Sequence, residues 1–531
     1  MSEAARSPAA IVPAPAAADA PEHAPLVRNR PLHRPSDGPP LPPLRGMGGS
    51  EAAPLADPPL RSGGVGLRAA RWRGPSAPNG SGRKQNALAG ELLGWAWLAV
   101  GALAVAGVFA LLLALSRIPG MERTPFWPID FFYKGLVIHV VFSLVIWLLG
   151  VFAFLVATAT RQIAGDALRF AGLGRAGQGL ALLAFPCLFA PAFFESTQPE
   201  LTNYVPLIRH PLYDFGLVLL AAGVLAPVAR LFLNLPQRKG TLTPLALAMT
   251  AGGFAFAAAL VSFLVAGGLL ARTGDAQFAR ESLIWGGGHG LQFVYAAMLL
   301  TNWRLLAERS LGAAAIDERL FKIALAAVAL IALAGPIFYA LFPAFSDAQH
   351  EAFRFLQFFV AIPSLLFGGS LLARMRARRE SLPWRDPAFF ALAASLALFA
   401  LGGAMGFLID GHDTRTPAHY HAVITAVSVS SAGMLLTFGL DVLGRAPAPP
   451  RATRILLGLY GGGQFVASIA MFVAGGYGAA RKTATGELDP VAAGGMAVHG
   501  IASIFTILGG AAFVIVAIRA LARPASRRAG A

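Results

Sequence analysis

Apolar stretches of roughly 20 residues or more recur about twelve times from about Leu92 onward, and no other feature of the sequence limits its fold so tightly. At ~1.5 Å of rise per residue, each is long enough as a helix to cross a ~30 Å hydrocarbon layer. They fall near 90–116, 130–158, 168–194, 212–234, 243–271, 282–305, 320–343, 353–374, 387–409, 418–442, 454–476 and 493–520. A chain that is 56% hydrophobic and only 13% charged cannot hide this surface in a water-soluble core. The bilayer must be its solvent. The expected fold is all-α, a polytopic membrane protein of about twelve transmembrane helices.

Residues 1–86 are rich in Pro, Ala, Gly and Arg and lack apolar periodicity, so they are expected to form a disordered tail. A start codon chosen upstream of the true one would leave the same trace. Residues 87–531 make the membrane domain. The formal charge of +16 does not point to nucleic acid, because Lys and Arg sit in the tail and in short loops between apolar segments. Alternate loops carry Arg161, Arg169 and Arg175, then Arg230, Arg238 and Lys239, then Arg304 and Arg309, then Arg374, Arg376, Arg378 and Arg379. By the positive-inside rule these loops and both termini are cytoplasmic, in a bacterial inner membrane. The opposite loops hold more balanced groups, such as Glu195 with Glu200 and Asp347 with Glu351. Cys187, the single cysteine, lies inside an apolar run, which excludes an intrachain disulfide and argues against thiol catalysis.

Ionisable side chains within membrane helices are costly unless paired or bound. His139 falls in the second apolar stretch, His289 in the sixth within Trp285-Gly-Gly-Gly-His289, and His419 and His421 in the tenth within Pro417-Ala-His-Tyr-His421. Even-numbered spans run the same way, so all four lie toward the outer half. Two residues apart on a helix means ~200° around it, so His419 and His421 face opposite sides and one helix can serve two cofactors. A low-spin haem takes two axial imidazoles; a reactive haem takes one and keeps an open face. The competing reading is that each histidine merely hydrogen-bonds a neighbouring helix.

These motifs, in this order and on these spans, resemble subunit I of the haem-copper oxidase superfamily, which includes cytochrome c oxidases and nitric oxide reductases. The likeness covers about residues 90–521. It implies two haems, with His139 and His421 as axial ligands of the low-spin haem, His419 on the high-spin haem, and His289 at the second metal. Arg481 and Lys482, in the outer loop before the last span, resemble the cations that hold haem propionates. His412, Asp413 and Arg415 could meet propionates too. Phe359-Val-Ala-Ile-Pro-Ser364 resembles a segment whose hydroxyls conduct protons inward, although Ser364 could equally satisfy its own helix. Tyr295 and Tyr339 are the phenols available to the site, or else ordinary core residues. His210 and His499 match no ligand position.

One departure bears on chemistry. The seventh span of this family ends in two adjacent histidines that complete the copper or non-haem iron site, whereas this chain reads Tyr339-Ala-Leu-Phe342-Pro343. His350 lies several residues beyond, in the expected loop. Copper or non-haem iron is therefore a doubtful cofactor. The resemblance implies an oxidoreductase that passes electrons between two haems and reduces O2, or NO in the alternative. A non-catalytic electron-transfer or gas-sensing relative is a third reading, and a twelve-span transporter a fourth. No Cys-x-x-Cys-His motif occurs. Electrons must come from a partner subunit, cytochrome c or quinol.

Overall fold

The computed structural model describes residues 82–115, 129–165, 168–202, 205–238, 240–273, 279–409, 413–481 and 488–524. Lys239, His412, Lys482 and nearly all of the expected tail lie outside them. Twelve described helices are long and apolar enough to cross a membrane. In chain order they are Leu88–Leu115, Phe131–Ala164, Ala171–Phe193, Pro211–Gln237, Pro244–Arg272, Arg280–Leu311, Glu318–Leu341, Asp347–Ala377, Pro387–Gly406, Arg415–Val442, Pro450–Gly476 and Pro490–Ala522, referred to below as spans 1 to 12. Large apolar side chains such as Leu264, Leu330, Leu365 and Leu508 remain exposed on them. In a bilayer that is the expected outer surface, since apolar side chains meet lipid while the helices bond most of their backbone internally.

Spans 2, 6 and 10 form the centre. Their apolar windows are 78%, 72% and 83% buried, against 22–56% for the other nine. These are the three spans that carry His139, His289, and His419 with His421. Small residues allow the close packing: a Cβ on Gly290 would come within 3.0 Å of the Ala259 backbone in span 5, and one on Gly402 within 2.9 Å of the Val423 amide in span 10.

Several spans are irregular for identifiable reasons. Span 2 passes through a π-helical segment, Val141–Ile146, immediately after His139, a feature common beside functional sites. Span 7 breaks at Leu333, where Pro336 takes the amide that would bond the Ala332 carbonyl. Span 8 begins further out than hydropathy predicts, because Ser346 accepts from the Gln349 amide and caps the helix there. His350 consequently lies on helix rather than in a loop. Between spans 3 and 4 a short antiparallel pair, β1 (Gln198–Glu200) and β2 (Leu207–Arg209), is tied to span 6 by Arg280, which bonds the Ile208 carbonyl and Asp214.

Two arginines expected in basic loops belong to the interior. Arg230 is fully buried in span 4 and Arg304 nearly so in span 6. Arg230 bonds Glu91 of span 1 through both terminal nitrogens, and Arg304 pairs with Glu308 and Glu318. A guanidinium within a span is tolerated when a carboxylate meets it.

Candidate haem-binding centre

The tenth span opens on a clamp. Thr414 donates its amide to the Ala479 carbonyl at 3.0 Å and its hydroxyl to the Met471 carbonyl at 2.9 Å, while Asp413 and Ala480 form an antiparallel bridge. Arg415 pairs with Asp413 at 2.6 Å. Gly478, at φ +84°, permits the turn that brings this outer loop back. Arg481 follows the bridge directly, so the expected outer-loop cation is tied to the mouth of span 10.

Four residues after Arg415, the His419 ring enters a recess in span 9. Its Nδ1–H donates to the Gly402 carbonyl at 2.7 Å. A Cβ on Gly406 would sit 2.8 Å from His419 Cε1, so a glycine is needed there. His421 points to the other side, with its ring 5.1 Å from that of Tyr420. In span 2, the His139 Nδ1–H donates to the Ala106 carbonyl of span 1 at 3.0 Å. With Nδ1 committed to backbone in both His139 and His419, Nε2 is the nitrogen that can ligate iron.

The sixth-span motif builds a separate cluster. His289 donates Nδ1–H to the Trp285 carbonyl at 2.6 Å. The Trp285 indole lies 4.7 Å from the His289 ring and 5.0 Å from the His350 ring, and its Nε1–H donates to the His350 carbonyl at 3.3 Å. Tyr339 is hydrogen-bonded to the Gly286 backbone. A Cβ on Gly286 would strike this phenol and come 2.6 Å from Phe353. Tyr295 lies six residues along the helix from His289 and packs on the core. Asn302 of span 6 bonds Ser430 and Ser431 of span 10, which sets the register of the two spans. Counting back, His289 is thirteen residues from Asn302 and His419 eleven from Ser430, so their depths differ by only ~3 Å at ~1.5 Å per residue.

The structure thus assembles His289, Trp285, His350 and Tyr339 together, holds His419 against span 9, and seats His139 against span 1. It also supplies partners that sequence reasoning missed, the carbonyls of Ala106 and Gly402 and the recess at Gly406. The Gly402-x-x-x-Gly406 spacing was the available signal. Ser364 donates to the Val360 carbonyl of its own helix. His499 bonds the Ala467 carbonyl, and His210 caps span 4 by accepting from the Leu212 amide. Each of the three thus has a hydrogen-bond partner within the protein.

Residues 92–512 match the family described as Cytochrome C and Quinol oxidase polypeptide I. The chain belongs to this family. A relative from Aquifex aeolicus (strain VF5), described as an uncharacterized protein, is 30% identical over 346 residues, covering 63% of this chain and 81% of that one. A heme-copper terminal oxidase dimer solved by cryo-EM matches with a TM-score of 0.66 at 15% identity, covering 83% of this chain and 85% of that one. The latter likeness is one of fold.

The donor set fits haem, given imidazoles on opposite sides of one central span and two Nδ1 atoms anchored on carbonyls. It does not fit the second metal of this oxidase family. Phe342 and Pro343 stand where two imidazoles are expected, and the Phe342 ring instead packs on Phe338 at 5.8 Å. Among the described residues, no three His, Cys, Asp or Glu side chains converge as a metal would require.

Proposed function

We propose that this oxidase-family chain is a haem-binding respiratory subunit in which His139 and His421 hold a low-spin haem and His419 a high-spin haem. When bound, those groups supply electron transfer and the reduction of a small gas, with O2 the leading substrate and NO the alternative. The observation that carries the reading is the His419-Tyr-His421 pair on the most buried span, with His419 anchored into the Gly402 and Gly406 recess. His139 and His421 present imidazoles from two of the three central spans. Arg481 and Arg415 offer cations at the outer mouth, where propionates would lie. In this reading His289, at nearly the depth of His419, supplies with Trp285 and Tyr339 the polar contacts to a ligand on that haem.

The seventh-span substitution favours a second reading at the same site. With His289 and at most His350 as ligating imidazoles, a copper or non-haem iron ion falls short of the three or four protein ligands that ordinarily secure it. Gas reduction is then slow, and the chain serves electron transfer or gas binding. Electrons arrive from a partner subunit, cytochrome c or quinol. Both termini face the cytoplasm of a bacterial inner membrane, following the basic loops.

A pyridine haemochrome assay and metal analysis of purified protein test this. Two haems per chain with substoichiometric copper and iron beyond haem are expected. A chain without haem overturns the assignment, whereas stoichiometric tightly held copper overturns the second reading.

A further inference from the structure

Several arginines at the inner side of the bundle are answered by carboxylates: Arg230 by Glu91, Arg304 by Glu308 and Glu318, and Arg309 by Asp441. Three others stand together where spans 10 and 11 meet at their inner ends. Span 10 closes at Gly444, with φ +64°, and Arg445 donates its amide back to the Leu440 carbonyl at 2.8 Å. The connection Ala446-Pro-Ala-Pro449 is only four residues long and span 10 packs directly on span 11, so Arg445 stays at the foot of the helix that carries Arg451 and Arg454.

Among the described residues no carboxylate pairs with any of these three. Asp441, four residues before Arg445, is taken by Arg309 at 2.6 Å. Arg445 and Arg454 are half-buried, and the Nε of each is inaccessible and unbonded; Arg451 is exposed. A guanidinium with a buried, unanswered N–H calls for an anion. Pro449 provides no side-chain cap for span 11, so the positive end of that helix adds to the field at the same place.

One turn beyond Arg454, an apolar groove of about 460 Å³ opens between spans 11 and 12. Gly458, Gly462 and Val466 form one wall, and Val498, Ile501 and Phe505 the other. Arg454, Gly458 and Gly462 recur every four residues, which keeps them within about 80° of one face and sets the cation in line with the groove. From Gly458 to Val466 the groove runs eight residues, ~12 Å into the hydrocarbon at ~1.5 Å per residue. It opens sideways to lipid, since Val466, Val498, Ile501 and Phe505 are exposed. A Cβ on Gly462 would meet nothing within 4 Å, so its floor there is open space.

We propose that Arg445, Arg451 and Arg454 bind the phosphate of an anionic phospholipid of the inner leaflet, one acyl chain of which lies in the groove between spans 11 and 12. Guanidinium suits phosphate because its planar N–H groups donate two parallel bonds, and basic sites beside membrane helices on the cytoplasmic side hold anionic headgroups. An uncharged helix in the groove would leave the cations unanswered. A free phosphate would leave the groove empty. Nothing in this site depends on the histidines or on haem.

Native mass spectrometry of the purified full-length protein, stripped of lipid in detergent and titrated with phosphatidylglycerol, phosphatidylcholine or inorganic phosphate, tests this. The first phosphatidylglycerol should bind about tenfold more tightly than the first phosphatidylcholine. Arg445→Gln combined with Arg454→Gln should remove that tenfold advantage, whereas Arg209→Gln, on β2 at the outer side, should leave it intact. Gly462→Leu projects into the open floor and should weaken both lipids severalfold without unsettling the fold. Equal affinity for the two lipids in the unaltered protein, or an advantage that survives the double arginine variant, overturns the phosphate site. Lipid binding untouched by Gly462→Leu overturns the groove. Inorganic phosphate that binds at the arginines and displaces the lipid makes the ligand a free phosphate and overturns the lipid. A second copy or a small membrane protein that is retained through purification and lost on Gly462→Leu does the same.

Discussion

Arg230 and Glu91 meet in a two-pronged ion pair, at 2.6 and 2.7 Å, with both side chains essentially inaccessible. They are 139 positions apart, so the pair fastens span 1 to span 4. Span 3 contributes by leaving room, since a Cβ on Gly174 would overlap the guanidinium. Removing one partner strands a buried charge, which costs about 3–5 kcal/mol, whereas replacing both by apolar side chains is far milder. Arg230→Ala or Glu91→Ala should therefore destabilise the bundle strongly, and Glu91→Leu with Arg230→Leu should recover most of the loss. Unfolding midpoints in detergent check this; three equal losses would deny the coupling.

Gly286→Ala should destabilise span 6 by about 1–3 kcal/mol, because its Cβ must displace both the Tyr339 phenol and Phe353. Combining it with Tyr339→Phe should recover part of that loss. The same unfolding assay reads it, and an unchanged midpoint for Gly286→Ala would mean the packing is looser than described.

Gly406→Ala pushes on the His419 ring without touching His139. The expected outcome is a weakened carbon-monoxide difference spectrum beside a normal low-spin haem signal. Loss of both signals together would place the two ligands on one cofactor.

Sidedness follows from the remaining basic loops. In a Cys187→Ser background, cysteines placed at Asp347 and Arg481 should react with an impermeant reagent from the periplasmic side, and those at Arg376 and Arg378 from the cytoplasmic side. Labelling Asp347 and Arg376 from the same side would break the even count of spans.

Much of this was legible in the sequence, and the parts that were not share a cause. Apolar runs longer than a bilayer is thick have one outcome, so the spans matched to within a few residues, and the cost of intramembrane imidazoles singled out His139, His289, His419 and His421. Arg230 and Arg304 look like loop cations in the sequence, because a cation near a span end has the same signature whether it faces water or a carboxylate on another helix. Only the fold brings Glu91 to Arg230. His350 was placed in a loop because hydropathy cannot see the polar first turn that Ser346 caps. The recess for His419 depends on Gly402 and Gly406 in a different span, and glycine spacing alone does not reveal what will fill it.

The central claim is that span 10 serves two haems from its two faces. Optical and electron paramagnetic resonance spectra of His419→Ala, His421→Ala and His139→Ala, each purified from membranes, test it most directly. His139→Ala and His421→Ala should each abolish the low-spin signal while the protein still inserts, and His419→Ala should remove only the carbon-monoxide-binding haem. An unaltered two-haem spectrum in all three would contradict the account.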